Sequence, residues 1–117
     1  MTITAFKLKL KNTPNTIAFA ETMQVVDTYF DFTPTAFTNG LVQNAAGENS
    51  GSCKVFAFAK AEALSKTETL ACFGQYYFDE VLKDPNGTGH QNIRSFIKTG
   101  FEGLKFDQNP LTKKKIL

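Results

Sequence analysis

The stretch from Gly51 to Leu64 constrains the fold more than any other part of the chain. Its centre, Val55-Phe56-Ala57-Phe58-Ala59, is apolar on nearly every side, so it needs neighbours all round rather than on one face. The alternation would also suit a strand, but the length and the alanine content favour a helix. A central buried helix therefore organises the rest. Twelve phenylalanines, against three tyrosines and no tryptophan, supply the bulk for a core around it. The 117 residues, 42% of them apolar, suit one domain over residues 1–117, with no repeat or linker to mark a second.

Local signals place the other elements. Residues 3–11 suit a short amphipathic helix, although their Lys-Leu alternation also fits a strand. Thr13 as N-cap and Pro14 as first helical residue predict a helix running to about Phe30, with Phe19, Met23, Val26 and Phe30 on one face. Pro34 disfavours helix at Thr33, so Asp31–Thr35 is expected to be extended or turned. Asn39-Gly40, between Ala36-Phe37-Thr38 and Leu41-Val42-Gln43, predicts a β-hairpin with both turn residues at positive φ. Ser65 and Glu68 form a capping box for a helix ending at Gly74. A short helix over about Gln75–Lys83 stops at Asp84-Pro85-Asn86-Gly87. Thr88 and Gln91 form a second capping box, opening a helix that buries Ile93, Phe96 and Ile97 and ends at Gly100. Leu104-Lys105-Phe106 reads as a short strand, and residues 113–117 as a loose basic tail. The expected class is α+β: a mainly helical single domain with a small β-hairpin or sheet element.

Charge narrows the partners. The net charge is +2, and the lysine clusters, Lys7/Lys9/Lys11 and Lys113–Lys115, lie near the ends and read as solvated charge. Tyr76-Tyr77-Phe78 offers aromatics for a single-stranded nucleic acid, but Asp79-Glu80 follows at once, so no nucleic-acid partner is expected. No apolar run is long enough to span a bilayer, so no membrane insertion is expected, and no signal-peptide pattern is visible. Cys53 and Cys72 lack metal-ligand spacing and read as buried free thiols of a reducing compartment. With one histidine and no thiol cluster, neither a metal nor a cofactor is expected.

The polar, glycine-broken run Asn44–Lys54 is the first candidate for chemistry. Asn49-Ser50-Gly51-Ser52 sits at a predicted helix start, where free amides and the helix dipole favour an anion, and Lys54 lies one turn further in. It lacks the GxxxxGK[ST] pattern, and simple capping by Ser50 or Ser52 explains it as well. His90, the only histidine, stands at a second predicted helix start with Gln91, Asn92 and Arg94. These groups suit an anion pocket, or else His90 and Asn92 satisfy loop backbone while Arg94 pairs with Asp31 or Glu48. Cys53 with His90 is the one conceivable thiol–imidazole pair, weighed against Cys53 as a small core hydrophobe.

Several strings together resemble one family. They are Tyr29-Phe30-Asp31-Phe32-Thr33-Pro34-Thr35-Ala36-Phe37, Asn39-Gly40, Glu48-Asn49-Ser50-Gly51-Ser52-Cys53-Lys54 with Phe56-Ala57-Phe58-Ala59, Thr69-Leu70-Ala71-Cys72-Phe73-Gly74-Gln75-Tyr76-Tyr77, and His90-Gln91-Asn92-Ile93-Arg94-Ser95-Phe96. In this order they resemble the HopJ type III effector family of bacterial proteins, over residues 13–106. The resemblance implies a bacterial cytoplasmic protein delivered into a host cell by a type III system, and it brings no catalytic residues with it.

Three functional readings follow. The first is a binding or interaction protein, its partner an unidentified protein or a small anionic ligand, using Asn39, Asn44, Asn49, Ser52, Lys54, His90, Asn92 and Arg94. The second is a small hydrolase or transferase acting on an anion, with His90 as acid/base and the Ser50–Ser52 amides as cradle. It expects His90 in a cleft that also holds Lys54 or Arg94. The third is a cytoplasmic housekeeping domain with no host target.

Overall fold

The computed structural model describes residues 1–115. The chain opens with α1 (Ile3–Asn12), capped by the Thr2 hydroxyl, which accepts a bond from the Ala5 amide at 3.0 Å. The helix alternative therefore holds for the Lys-Leu segment, because Phe6 and Leu10, four residues apart, are both buried.

The helix expected from Thr13 to Phe30 is instead divided. Thr13 ends α1, Pro14–Thr16 form one 3₁₀ turn, and α2 begins only at Phe19 and runs to Tyr29. Ile17 and Ala18 between them are extended. The cause is tertiary. Ile17 turns into the core, 3% exposed, and the backbone of Gly74 packs directly against Ile17, Ala18 and Phe19. Phe30 leaves the helix and begins β1 (Phe30–Phe32).

The expected hairpin forms, with its loop one residue later than read. β2 (Phe37–Asn39) pairs antiparallel with β3 (Val42–Asn44), Asn39 facing Val42. Gly40 and Leu41 therefore make the loop, with Gly40 at φ +61° and Leu41 fully exposed. Asn39 belongs to the strand and is completely buried.

α3 (Ser50–Ala61) is the central helix. Val55, Phe56, Phe58 and Ala59 are fully buried and Ala57 is 6% exposed, which leaves no wet face over about a turn and a half. Phe56 meets the rings of Phe37, Phe73 and Phe96 at centroid separations of 6.2, 5.4 and 4.9 Å. Phe58 meets Phe6 and Phe30 at 6.0 and 5.9 Å. α1, β1, β2, the turn after Ala71 and the helix bearing Phe96 thus each touch α3 through an aromatic ring, and each such pair is worth about 0.5–1.5 kcal/mol beyond its buried area.

α4 (Lys66–Ala71) opens on the expected capping box: the Glu68 amide donates to Ser65 Oγ, and the Ser65 amide donates to Glu68 Oε1. The chain turns at Gly74, φ +56°. The segment that follows is a π-helix, Tyr76–Val81, in which the Leu82 amide reaches back five residues to the Tyr77 carbonyl.

The second capping box does not form. His90 takes a left-handed conformation, and the Gln91 side chain donates to the Thr88 carbonyl instead of closing the box. α5 covers Gln91–Thr99 and buries Ile93 and Phe96, with Ile97 half-buried, before Gly100 ends it.

β4 (Leu104–Phe106) joins the hairpin to give the order β3-β2-β4, and β5 (Leu111–Lys113) pairs with β1 in a separate two-stranded ribbon. The start of the expected loose tail is therefore anchored. Lys113 faces Phe30 in the ribbon, and Lys114 bonds through its amide to the Tyr29 carbonyl and through Nζ to the Asp27 carbonyl. Residues 116 and 117 of that tail lie outside the described residues.

Gly74 tests the tertiary account of the divided helix. A Cβ there would lie 2.5 Å from the Phe19 nitrogen and 2.7 Å from the Ile17 oxygen, both backbone atoms that cannot swing aside. Gly74→Ala is expected to lose about 3 kcal/mol or more of folding stability, from backbone strain and overpacking together. Urea denaturation followed by circular dichroism measures it, and a loss of only about 1 kcal/mol would show that the contact can relax.

Candidate functional site

The hairpin, the loop into α3 and the start of α5 meet through four asparagines. Asn39 Nδ2 donates to the Asn92 carbonyl at 2.8 Å and to Asn92 Oδ1 at 3.1 Å. Asn44 and Asn92 bond reciprocally, Nδ2 to Oδ1 in each direction, at 3.1 and 3.0 Å. Asn49 Nδ2 adds a bond to Asn44 Oδ1 at 2.7 Å. Asn39, Asn44 and Asn92 are all buried, so these bonds replace water that their amides have lost. Asn39 Oδ1 is the one buried side-chain polar atom without a partner among the described residues.

This cluster fixes where two helices begin. α3 starts after Asn49 (φ 50°, ψ 46°) and α5 after His90 (φ 57°, ψ 53°), both left-handed. Neither N-cap side chain bonds its own helix. The first intrahelical donors are the Cys53 and Arg94 amides, which leaves those of Ser50–Ser52 and Gln91–Ile93 without a helical acceptor.

Both helix starts open on one cleft of about 480 Å³. Asn49, Gly51, Ser52, His90, Gln91 and Asn92 line its polar side; Phe19, Phe73 and Tyr76 give it an aromatic wall. Its size falls within the range of small-molecule sites.

The residues proposed from sequence divide into three groups. Asn49, Ser52, His90 and Asn92 face the cleft. Asn39 and Asn44 stand behind it in the amide cluster and do not line it. Lys54 and Arg94 point elsewhere. Lys54 pairs with Asp27 at 2.9 Å and lies over the Phe32 ring, drawn away by a carboxylate on α2. Arg94 donates to the Asp84 and Gly89 carbonyls, holding the loop before α5, and pairs with neither Asp31 nor Glu48. The cleft therefore lacks the lysine or arginine that an enzyme reading expected.

His90 is held by two groups that the sequence reading did not connect to it. Its Nε2 lies 2.9 Å from Glu80 Oε1, and its ring packs on Tyr76 with centroids 5.2 Å apart. Tyr76 and Glu80 are four residues apart, a spacing that places them on one side of a helix and was visible in the sequence. That α5 would start beside that side was not. Cys53 takes no part: its Sγ faces the Thr35 carbonyl at 3.9 Å, and burial pushes its thiol up to about 11. Burial also raises the Cys72 thiol, with the Glu68 charge adding to the effect. Among the described residues no His, Cys, Asp and Glu group of three or more is placed to hold a metal.

The asparagine cluster carries a stability prediction. Asn92→Leu removes the three bonds that its side chain makes with Asn39 and Asn44, leaving Asn39 the backbone carbonyl at position 92 and Asn44 its bonds to Phe37 and Asn49, so it is expected to cost about 2–4 kcal/mol in urea denaturation. Asn49→Ala, at an exposed position, is expected to cost about 1 kcal/mol or less. Equal losses at the two positions would show that the buried network is not what holds the helix starts.

Comparison with known proteins agrees with this architecture. The family model for the HopJ type III effector protein matches residues 3–111, nearly the whole chain. The crystal structure of an unknown-function protein, VPA0580, superposes with a TM-score of 0.95 at 50% identity, covering 97% of this chain and 95% of that one. No curated protein is a significant match. The chain belongs to the HopJ type III effector protein family.

Proposed function

We propose that the chain is a HopJ-family binding protein whose cleft between α3 and α5 takes a small anionic ligand. One observation carries this reading: two helix starts, neither capped by its own N-cap side chain, open on the same cavity. Each helix start brings several free N–H groups and about half a positive charge, and the cleft receives both. The Asn39–Asn44–Asn92 bonds hold that geometry without ligand, which lowers the ordering cost of binding. Titration of isotope-labelled protein with inorganic phosphate is expected to move the backbone amides of Gly51, Ser52, Gln91 and Asn92, with an effect that weakens as salt rises. Shifts confined to the lysines of α1 would assign the binding to surface charge and overturn the proposal.

Family membership supports a second, compatible reading, that the protein is delivered into a host cell by a type III system. Passage through a narrow export channel requires unfolding, including release of Phe6 and Leu10 of α1 from the core. A reporter fused to the C-terminus is expected to reach host cells from a secretion-competent strain and not from a secretion-defective one. Equal retention in both strains would leave a housekeeping role inside the bacterium.

A further inference from the structure

We propose that Asn86 is a site of self-modification, converted through the backbone nitrogen of Gly87 to aspartate and isoaspartate, and that the fold directs this chemistry there and away from Asn39. The chain carries the dipeptide Asn-Gly twice, at Asn39-Gly40 and Asn86-Gly87. Glycine leaves the attacking amide unhindered by a side chain, so both pairs share one intrinsic reactivity and only their surroundings separate them.

The Gly87 nitrogen gives up its proton to solvent and attacks Asn86 Cγ. The N–Cγ bond forms, the Cγ–Nδ2 bond breaks, and ammonia leaves with a proton taken from water. Water then opens the cyclic succinimide. Opening at Cγ restores the normal backbone as aspartate. Opening at the main-chain carbonyl carbon leaves isoaspartate, with an extra carbon in the backbone.

Asn86 is exposed in the turn Asp84–Gly87, which one backbone bond closes, the Gly87 amide donating to the Asp84 carbonyl at 3.0 Å. Opening a solvent-exposed turn of this kind costs little. The side-chain bonds across the loop come from Gln91 and Arg94, and among the described residues none engages the Asn86 amide. Asn39 is completely buried. Its Nδ2, the atom that must leave, donates to the Asn92 carbonyl and Oδ1 at 2.8 and 3.1 Å. Its backbone lies between Val42 and Leu104 in the sheet, and the Gly40 nitrogen donates to the Gly103 carbonyl at 3.0 Å. Attack there waits until the sheet and the amide cluster open together. At Asn86 the consequence falls on α5. Arg94 bridges the Asp84 and Gly89 carbonyls, and Asn86 lies on the chain between them. An isoaspartyl link lengthens that span and strains the bridge. Either product also sets a new negative charge on the cavity that Asn86 shares with Arg94 and Lys98.

The test holds the folded protein at mildly alkaline pH in heavy-oxygen water, then maps its peptides by mass spectrometry. The peptide bearing Asn86 is expected to take up the label and an isoaspartyl linkage, faster as the pH rises. Conversion at Asn39 is expected to be about tenfold or more slower, a ratio that needs only about 1.4 kcal/mol of protection. In concentrated urea the two rates should approach one another, because the same dipeptide then reacts in both places. Asn86→Gln, whose longer side chain closes a ring slowly, is expected to lose most of the ammonia that the folded protein releases. It keeps Gly87, where a Cβ would lie 2.2 Å from the Asp84 carboxylate and 2.8 Å from the Arg94 guanidinium. Equal rates at Asn39 and Asn86 in the folded protein, no conversion at Asn86, or unchanged ammonia release from Asn86→Gln would overturn the proposal. A rate ratio that persists in urea would overturn the role of the fold.

Discussion

The reciprocal amide bonds between Asn44 and Asn92, with Asn39 donating to the same residue, are the constraint on which the functional end of the molecule depends. Buried amides must find partners or cost about 1–3 kcal/mol each. Asn92 finds its partners only when the hairpin lies against the first turn of α5. Asn44 finds its own only when the loop into α3 is close enough for Asn49 to reach it. One network therefore sets three elements at once. Two left-handed helix entries, into α3 and α5, lie at its edge, and residues of both line one cleft.

The second constraint is the burial of α3. Because Phe56 and Phe58 are completely buried, the hairpin, α1, β1, α5 and the turn after α4 must each contribute a ring to cover them. This fixes the helix axis, and the axis fixes where its N-terminus emerges. The surface ion pairs contribute little by comparison. Lys9–Glu21 joins α1 to α2 at 2.7 Å, and together with the Ala18 amide it holds the Glu21 carboxyl below its usual range, but exposed pairs of this kind are worth about 0–1 kcal/mol.

Much of the fold was legible because its signals are local. The Ser65–Glu68 box, the left-handed Gly74, the strand at Leu104–Phe106 and the buried α3 each follow from residues within a few positions of one another. The misreadings share the opposite property. Thr13-Pro14 has the pattern of a helix start, yet burial of Ile17 and the approach of Gly74 divide the helix. Asn39-Gly40 has the pattern of a hairpin loop, yet Asn39 is needed in the strand to meet Asn92. Thr88 and Gln91 are spaced as a capping box, yet the chain turns left-handed at His90 and uses Gln91 otherwise. Lys54 and Arg94 were read as cleft cations from sequence proximity alone. A carboxylate on α2 and two loop carbonyls hold them elsewhere.

By itself the sequence determined the α+β class, the central phenylalanine-bearing helix and most element positions, because periodicity, capping and turn preference act over one or two turns of chain. It also placed the Ser65–Glu68 box at the start of α4 and a helix start within Asn49–Ser52, because both signals lie within a few residues. Only the tertiary structure decided that the starts of α3 and α5 share a cleft. It alone joined Asn39, Asn44 and Asn92 into one network and set Glu80 against His90. Those contacts link residues 10 to 53 positions apart, and they form only when burial of α3 has brought their elements together.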